Sequence, residues 1–274
     1  MVVSTVLSST EVCDKGLHIL KIDEENRWCR EKREIRFKEQ YGNKPLILAL
    51  VWYKLTVYDF EEGLKLKAFE KEQRGLKMFL ISIFFVWTYP KNAGVLSAHF
   101  GISKDFCQGR PLWIWIERVA ALKTKKIVWL RELDDPNAEL FIISIDGTDF
   151  KTWEKKHPTL NQDRKQFTKK HKHGGLNYQV VLSVHHQQVV DIYGPCQGGI
   201  SDKAMLHESG VLVRIKNQKL AIVDLGYINY ANKENLSWPN QHDAQAVNNF
   251  KSRARLRHET LTMLFFRNFN LYIS

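Results

Sequence analysis

Cysteine is scarce in the 274-residue sequence and is spread widely along it. The four cysteines form no C-x-x-C pair; they are Cys13, Cys29, Cys107 and Cys196. This spacing indicates neither a disulfide framework nor a structural zinc site, and it suits a reducing compartment. The scarcity therefore argues against a disulfide-rich secreted domain and against a zinc or redox protein.

Long apolar runs are also lacking. The longest, MFLISIFFVWTY at 78–89, has 12 residues, whereas a helix that crosses a bilayer needs roughly 20. The first ten residues, MVVSTVLSST, lack the basic region and the sustained apolar stretch of a signal peptide. We expect a buried helix at 78–89, a soluble intracellular protein and no membrane partner.

Acidic residues are outnumbered by basic ones. There are 30 Asp and Glu against 41 Lys and Arg, which gives a formal net charge of +11. This excess favours a polyanionic partner such as nucleic acid, although it says nothing about the fold. The 44% of hydrophobic residues is typical of a chain that folds around a core.

The residue pattern divides the chain into three parts. Residues 1–45 carry many charges of both signs and predict a charged N-terminal arm, either a solvated helix or a partly ordered segment. Residues 46–130 predict helices. The polar, proline-containing connector at 131–140 then separates them from a domain at 138–274 in which strand-like patterns begin.

Part of the helical region has the pattern of a helix-turn-helix element. A short helix at 95–100 precedes Gly101, where a tight turn needs a permissive backbone. Ser103 could then cap a second helix, which could enter a DNA major groove. Pro111 interrupts that second helix, so a plain helical hairpin is the alternative. The apolar residues of the second helix are Leu112, Ile116 and Val119.

The last 137 residues predict an α/β domain with a mixed sheet. Its elements follow the order β-β-β-α-β-α, which is the beginning of a ribonuclease-H-like fold. A helical crossover makes the fourth strand parallel to the first. If those two strands are neighbours, their carboxyl ends bring Asp146 and Asp224 together. The predicted strands are 140–153, 176–186, 188–194 and 219–224, and the predicted helices are 201–215 and 248–266.

Acids at adjacent strand ends can bind metal when a later helix supplies a third. Such a set can hold two Mg²⁺ or Mn²⁺ ions, which prefer oxygen ligands. Two ions can activate an attacking oxygen and stabilise a leaving one in phosphoryl displacement. Glu259 is the best candidate for the third acid, although a salt bridge with Arg255, one helical turn earlier, is the ordinary alternative.

Four motifs strengthen this interpretation: ISIDGTDF, GPCQGGISD, AIVDLGY and NNFKSRARLRHET. In order and approximate spacing, they resemble the DDE-type transposases of the PIF/Harbinger superfamily over roughly residues 140–262. The resemblance implies a metal-dependent DNA endonuclease that hydrolyses phosphodiesters and transfers strands. Asp146, Asp224 and Glu259 would be its catalytic, metal-binding triad. Asp202 matches an additional acid of the family, and stabilising the start of a helix is its other interpretation.

Basic residues near these acids are candidates for DNA contact. The segment 151–173 is rich in lysine and follows Asp146 directly, so it could make salt-sensitive phosphate contacts. A solvated loop is the alternative. In the last helix, Arg253, Arg255 and Arg257 cannot all face one way. The candidates for DNA binding are Lys165, Lys169, Lys170, Lys172, Arg253 and Arg255.

The end of the chain departs from the resemblance. Family members usually continue through further helices, whereas this chain ends fifteen residues after Glu259, so we expect a C-terminally truncated domain. The apolar Leu264, Phe265 and Phe266 would then need a partner, either a second copy or a separate DNA-binding protein.

Two functions stay open at this stage. One is an active nuclease or transposase in the nucleus, with a cytoplasmic pool. The other is a catalytically inactive, transposase-derived protein that binds DNA or other proteins.

Overall fold

The computed structural model describes residues 7–22, 28–61, 72–88, 93–103, 110–151, 167–168, 173–186, 188–216, 218–227, 233–240 and 242–270. The chain forms two compact units. One comprises Met1–Lys125 with Phe265–Ser274, and the other comprises Lys126–Leu264.

The first unit is helical, and its first six helices contribute apolar side chains to one core. Its fourth helix covers most of the apolar run at 78–89, and Phe79, Leu80 and Ile81 are fully buried there. Within the described residues, no helix combines the length and apolarity that a membrane span requires. The helices are α1 (Ser9–Ile19), α2 (Arg30–Tyr41), α3 (Pro45–Glu61), α4 (Glu72–Thr88), α5 (Ala93–Phe100), α6 (Arg110–Ala121) and the single turn α7 (Lys123–Lys126).

The segment expected to be an N-terminal arm contains α1 and α2, which are part of this core. Ser8 and Glu11 form a capping box at the start of α1, a pairing that satisfies free backbone N–H groups. Val12 and Phe37 are completely buried, and the Tyr41 hydroxyl donates a hydrogen bond to a backbone carbonyl of α1. The charges of this segment thus lie on the exposed faces of helices whose other faces are packed.

The helix-turn-helix interpretation is only partly within the described residues. Helix α5 ends before Gly101, which has a φ of +59°, the left-handed conformation expected for that turn. Residues 104–109, where the second helix was expected to begin, lie outside the described residues. Pro111 lies at the start of α6, where its missing N–H is tolerated. DNA binding by this element stays a prediction.

The second unit is a mixed α/β structure that is compatible with a ribonuclease-H-like fold. Its sheet has the order β2-β3-β1-β5-β6, and β4 also pairs with β3. Strands β1 and β5 are parallel neighbours, whereas β3 is antiparallel to β1 and β4. The sequence did not predict β2 or β6, because two-residue strands carry no periodic pattern. The strands are β1 (Phe141–Lys151), β2 (Phe167–Thr168), β3 (His173–Ser183), β4 (Val189–Gln197), β5 (Leu220–Ile222) and β6 (Leu236–Ser237).

Helices cover both faces of this sheet. The helix predicted at 201–215 is instead two, α8 (Asp202–Glu208) and α9 (Val211–Arg214), because Gly210 between them has a φ of +65°. Helix α10 (Gln245–Asn270) extends beyond the predicted 248–266 at both ends. The side chains of Leu264, Phe265 and Phe266 lie outside the described residues.

Alternate residues of β1 face different helices. Ile143 and Ile145 share a core with residues of α8 and α9. Ser144 instead contacts His258 of α10. Because strand side chains alternate, Asp146 is in phase with Ser144 and lies on the α10 side of the sheet.

Candidate active site beside β1 and β5

Asp146 and Asp224 occupy equivalent positions on parallel neighbouring strands. Ser144 of β1 pairs with Ile222 of β5, and each aspartate follows two residues later on the same face. Asp224 lies just after β5, and its carboxylate accepts a hydrogen bond from the Leu225 N–H. Asp146 was expected at a strand end, but β1 continues to Lys151 because its partner β3 is equally long.

Asp146 lies in an environment that disfavours its charged form. Burial, with a smaller contribution from the negative charges of Asp202 and Asp224, raises the pKa of its carboxyl to about 6. A hydrogen bond from the Gly147 N–H, at 2.9 Å, and the positive charge of Arg255 oppose this rise. The charges of two other carboxylates and one guanidinium thus act on Asp146.

Asp202 packs against β1 from α8, at the residue after Asp146. The side chain of Ser201 caps the helix, and Asp202 is in its first turn. A Cβ atom added to Gly147 would lie 2.4 Å from Asp202 Oδ1, so the carboxylate packs directly against the β1 backbone. The glycine after Asp146 therefore makes room for a second acid.

Arg255 supplies a positive charge from α10. Its Nη2 atom lies 3.0 Å from Asp224 Oδ1, and its side chain is about one-third exposed. Ala254 and His258, on the same side of the helix, are buried. His258 Nε2 lies 2.9 Å from Ser144 Oγ, so this contact holds α10 against the middle of β1.

Glu259, the predicted third acid, is exposed on α10. It is not among the charges that dominate the pKa of Asp146, whereas Asp202 is the first of them. In the described part of the chain, no three His, Cys, Asp or Glu side chains are grouped to hold a metal ion. The charges of Asp202 and Asp224 act on Asp146, and Asp146, Asp224 and Glu259 as metal ligands stay predictions.

The predicted DNA-binding residues have different outcomes. Arg253 is exposed on α10, as a phosphate contact requires, whereas Arg255 is paired with Asp224. The other candidates lie outside the described residues. These are Lys165, Lys169, Lys170 and Lys172.

Two features of the site were not predicted from the sequence. The side chain of Tyr227 is buried in the core of this unit, although it follows the end of β5. The buried pair of Ser144 and His258 was also missed. Its only signals were a serine inside the apolar run FIISI and a histidine four residues after a buried alanine.

Comparison with known proteins is consistent with this site. Residues 145–263 match the sequence model of a family described as DDE superfamily endonuclease. The matched segment contains Asp146, Asp202, Asp224 and Glu259. No curated protein and no solved structure shows a significant match to the chain. The match supports a DDE-type transposase family, so the second half of the chain is similar to a transposase-type nuclease.

Proposed function

We propose that this chain is a metal-dependent DNA endonuclease of the DDE transposase type. The observation that carries the proposal is the parallel pairing of Ser144 with Ile222, which places Asp146 and Asp224 in register two residues later, inside the segment that matches the endonuclease family. Hydrolysis of phosphodiesters and strand transfer are the proposed reactions.

The residues present suit a hard divalent cation. Carboxylate oxygens are the ligands that Mg²⁺ and Mn²⁺ prefer. Burial, and to a smaller extent the charges of Asp202 and Asp224, raises the pKa of Asp146, and a bound cation would favour its charged form. Asp146 and Asp224 would hold the ions, Glu259 would complete the triad, and Asp202 would be an accessory acid.

Two bound ions would supply charge stabilisation at the phosphorus during in-line displacement. The protein's part is to hold the carboxylates in register. Parallel pairing of β1 and β5 sets the spacing of Asp146 and Asp224. Arg255 is beside Asp224 and partly exposed. Once its guanidinium leaves the Asp224 carboxylate, it would bind a phosphate oxygen of DNA.

DNA is the proposed partner, and the net charge of +11 favours it. The lysines at 165, 169, 170 and 172 would bind phosphates without reading sequence. Replacing Lys169, Lys170 and Lys172 by glutamine should flatten the salt dependence of DNA affinity, and an unchanged slope would refute this contact.

The four sequence motifs favour the PIF/Harbinger subtype. Proteins that act on chromosomal DNA must meet it in the nucleus, which is the proposed location. A second copy of the chain or a separate DNA-binding protein is the proposed further partner.

Cleavage of duplex DNA with Mg²⁺ or Mn²⁺ tests the function. Asp224→Asn should abolish cutting because it removes a ligand charge while keeping the side-chain shape. Asp191→Asn is the matched control, since Asp191 is on β4 and interacts with Arg214, with β3 between β4 and β1. Equal cutting by wild type and Asp224→Asn would refute the metal-site proposal.

A catalytically inactive, DNA-binding protein is the second candidate. The ion pair between Arg255 and Asp224 favours it, because it occupies one of the proposed ligands. This candidate predicts DNA binding by the wild type without any cleavage that depends on metal.

A further inference from the structure

Helix α10 presents three of its arginines in two different directions. Ala254 and His258, one helical turn apart, are buried against the sheet. Each residue of a helix is turned by about 100° from the previous one. Arg253 and Arg257 therefore lie on one side of this buried line, and Arg255 lies on the other.

The contacts of two arginines show where these sides point. The Arg257 Nη1 atom donates a hydrogen bond to the backbone carbonyl of Val184, which directly follows β3. Arg255 Nη2 lies 3.0 Å from Asp224 Oδ1, just after β5. Because β1 separates β3 from β5 in the sheet, Arg253 and Arg257 form the side of α10 nearest β3, which we call the arginine flank.

The charges of the arginine flank are exposed and lack a counter-ion within the described residues. Arg253 and Arg257 are both exposed, and no described carboxylate is paired with either guanidinium. This differs from the usual arrangement in the described part of the chain. Five other arginines each lie 2.7–3.6 Å from a carboxylate: Arg30, Arg33, Arg36, Arg214 and Arg255.

Guanidinium groups in this arrangement suit the phosphates of a nucleic acid strand. Arg253 and Arg257 are four residues apart, which is about 6 Å along the helix axis, so they can contact neighbouring phosphates of one strand. The hydrogen bond to Val184 holds Arg257 in place, and its other N–H groups can still bind a phosphate. Such contacts neutralise phosphate charge and read no sequence.

We propose that the arginine flank binds the phosphate backbone of duplex DNA, with Arg257 as a contact that the sequence analysis did not include among its candidates. The proposal rests on the proposed function, which makes DNA the partner. It separates the roles of the arginines in this helix: Arg253 and Arg257 hold DNA, whereas Arg255 is paired with Asp224.

Replacement of each flank arginine by glutamine tests the proposal, because glutamine removes the charge and keeps a polar side chain. The measurement is the slope of log affinity against log salt concentration, from fluorescence anisotropy of a labelled duplex in EDTA. Each phosphate contact contributes about 0.9 to this slope. We expect it to be shallower by about 1 for Arg253→Gln and for Arg257→Gln, and by about 2 for the double variant.

Arg131→Gln is the matched control. Arg131 is also exposed and is not paired with a described carboxylate, and its loss changes the net charge equally. Its slope should equal that of the wild type, and equal flattening by Arg131→Gln would overturn the proposal. If Arg257→Gln unfolds because it loses the contact with Val184, Arg253→Gln still tests the flank, since Arg253 has no such contact to lose.

Cleavage of the same duplex with Mg²⁺ separates this proposal from the proposed function. If the wild type cuts DNA and the variants keep its salt slope, the arginine flank is refuted and the endonuclease stands. If the variants flatten the slope and the wild type does not cut, the flank stands and the endonuclease is refuted. A wild type that binds no DNA would overturn both proposals.

Discussion

Arg255 Nη2 lies 3.0 Å from Asp224 Oδ1, so an arginine from α10 binds one of the two acids that the parallel strands bring together. The pair joins residues that are 31 positions apart in the sequence. It places a guanidinium where a divalent cation would bind the same carboxylate. The ion pair and the proposed cation would therefore compete for Asp224.

Arg255→Gln should strengthen Mn²⁺ binding because it removes this competitor. A pair with this exposure contributes about 0.2–1 kcal/mol, so the gain in affinity should be at most about fivefold. Arg253→Gln is the control, because Arg253 is exposed on the same helix and its loss changes the net charge equally. Calorimetric titration measures the Mn²⁺ affinity of both variants. An equal gain in affinity for the two would show that the net charge, and not the ion pair with Asp224, controls Mn²⁺ binding.

Asp146→Asn should stabilise the metal-free protein at neutral pH. The folded state raises the pKa of Asp146 from 3.8 to about 6, so the folded protein holds this proton more tightly than the unfolded chain. Its contribution to stability is then greatest below about pH 4 and is lost as the pH rises through 6. At 1.36 kcal/mol per pKa unit, the free energy of unfolding of Asp146→Asn at pH 7.5 should exceed that of the wild type by on the order of 1–3 kcal/mol.

Urea unfolding in EDTA at pH 5 and pH 7.5 measures this gain. The difference between Asp146→Asn and wild type should be smaller at pH 5, where part of the wild-type carboxyl is protonated. Other titrating groups are common to the two proteins and cancel in the comparison. A difference that is the same at both pH values would contradict the raised pKa.

Gly147→Ala should disturb Asp202 more than it disturbs the fold. The added methyl would lie 2.4 Å from Asp202 Oδ1, so the carboxylate must move, while the backbone of Gly147 is not in the left-handed region. We expect weaker Mn²⁺ binding in calorimetry with a loss of stability within about 1 kcal/mol, because the end of a side chain can move.

A double-mutant cycle isolates this contact. In an Asp202→Ala background, Gly147→Ala should have little further effect on Mn²⁺ affinity, because the displaced group is already absent. Gly226→Ala is the control, since no atom lies within 4 Å of its added Cβ. Additive effects of Gly147→Ala and Asp202→Ala would show that the two residues act separately.

The sequence predicted the proximity of Asp146 and Asp224 because a helical crossover makes two strands parallel, and parallel strands carry their acids to the same region. It did not predict that Asp202 would be the strongest charge acting on Asp146. The position of α8 relative to β1 depends on packing and on the room left by Gly147, and neither has a periodic signature.

Helix α10 shows a second limit of sequence analysis. Helical spacing places Arg255 and Glu259 on one side, and either could face the acids. The rotation of the helix decides between them, and it depends on buried contacts of Ala254 and His258 with the sheet. The contact between His258 and Ser144 joins residues 114 positions apart, so no local pattern reveals that Arg255 is the residue that reaches Asp224.

His258 should make the attachment of α10 sensitive to acid. Burial, with a smaller contribution from the charge of Arg255, lowers the pKa of its imidazole to about 4, although a hydrogen bond to Ser144 opposes this change. The unfolded chain takes up this proton near pH 6.5, so the stability from neutral His258 is present above pH 6.5 and is lost as the pH falls toward 4. His258→Gln should therefore lose less stability than wild type between pH 7.5 and pH 5 in urea unfolding.

Ser144→Ala separates this titration from the hydrogen bond itself. It removes the partner of His258 Nε2 at 2.9 Å and should cost about 1 kcal/mol at pH 7.5. It keeps the buried imidazole, so its stability should fall between pH 7.5 and pH 5 at least as steeply as that of wild type. If His258→Gln and Ser144→Ala show the same pH dependence, the buried imidazole is not the group that titrates.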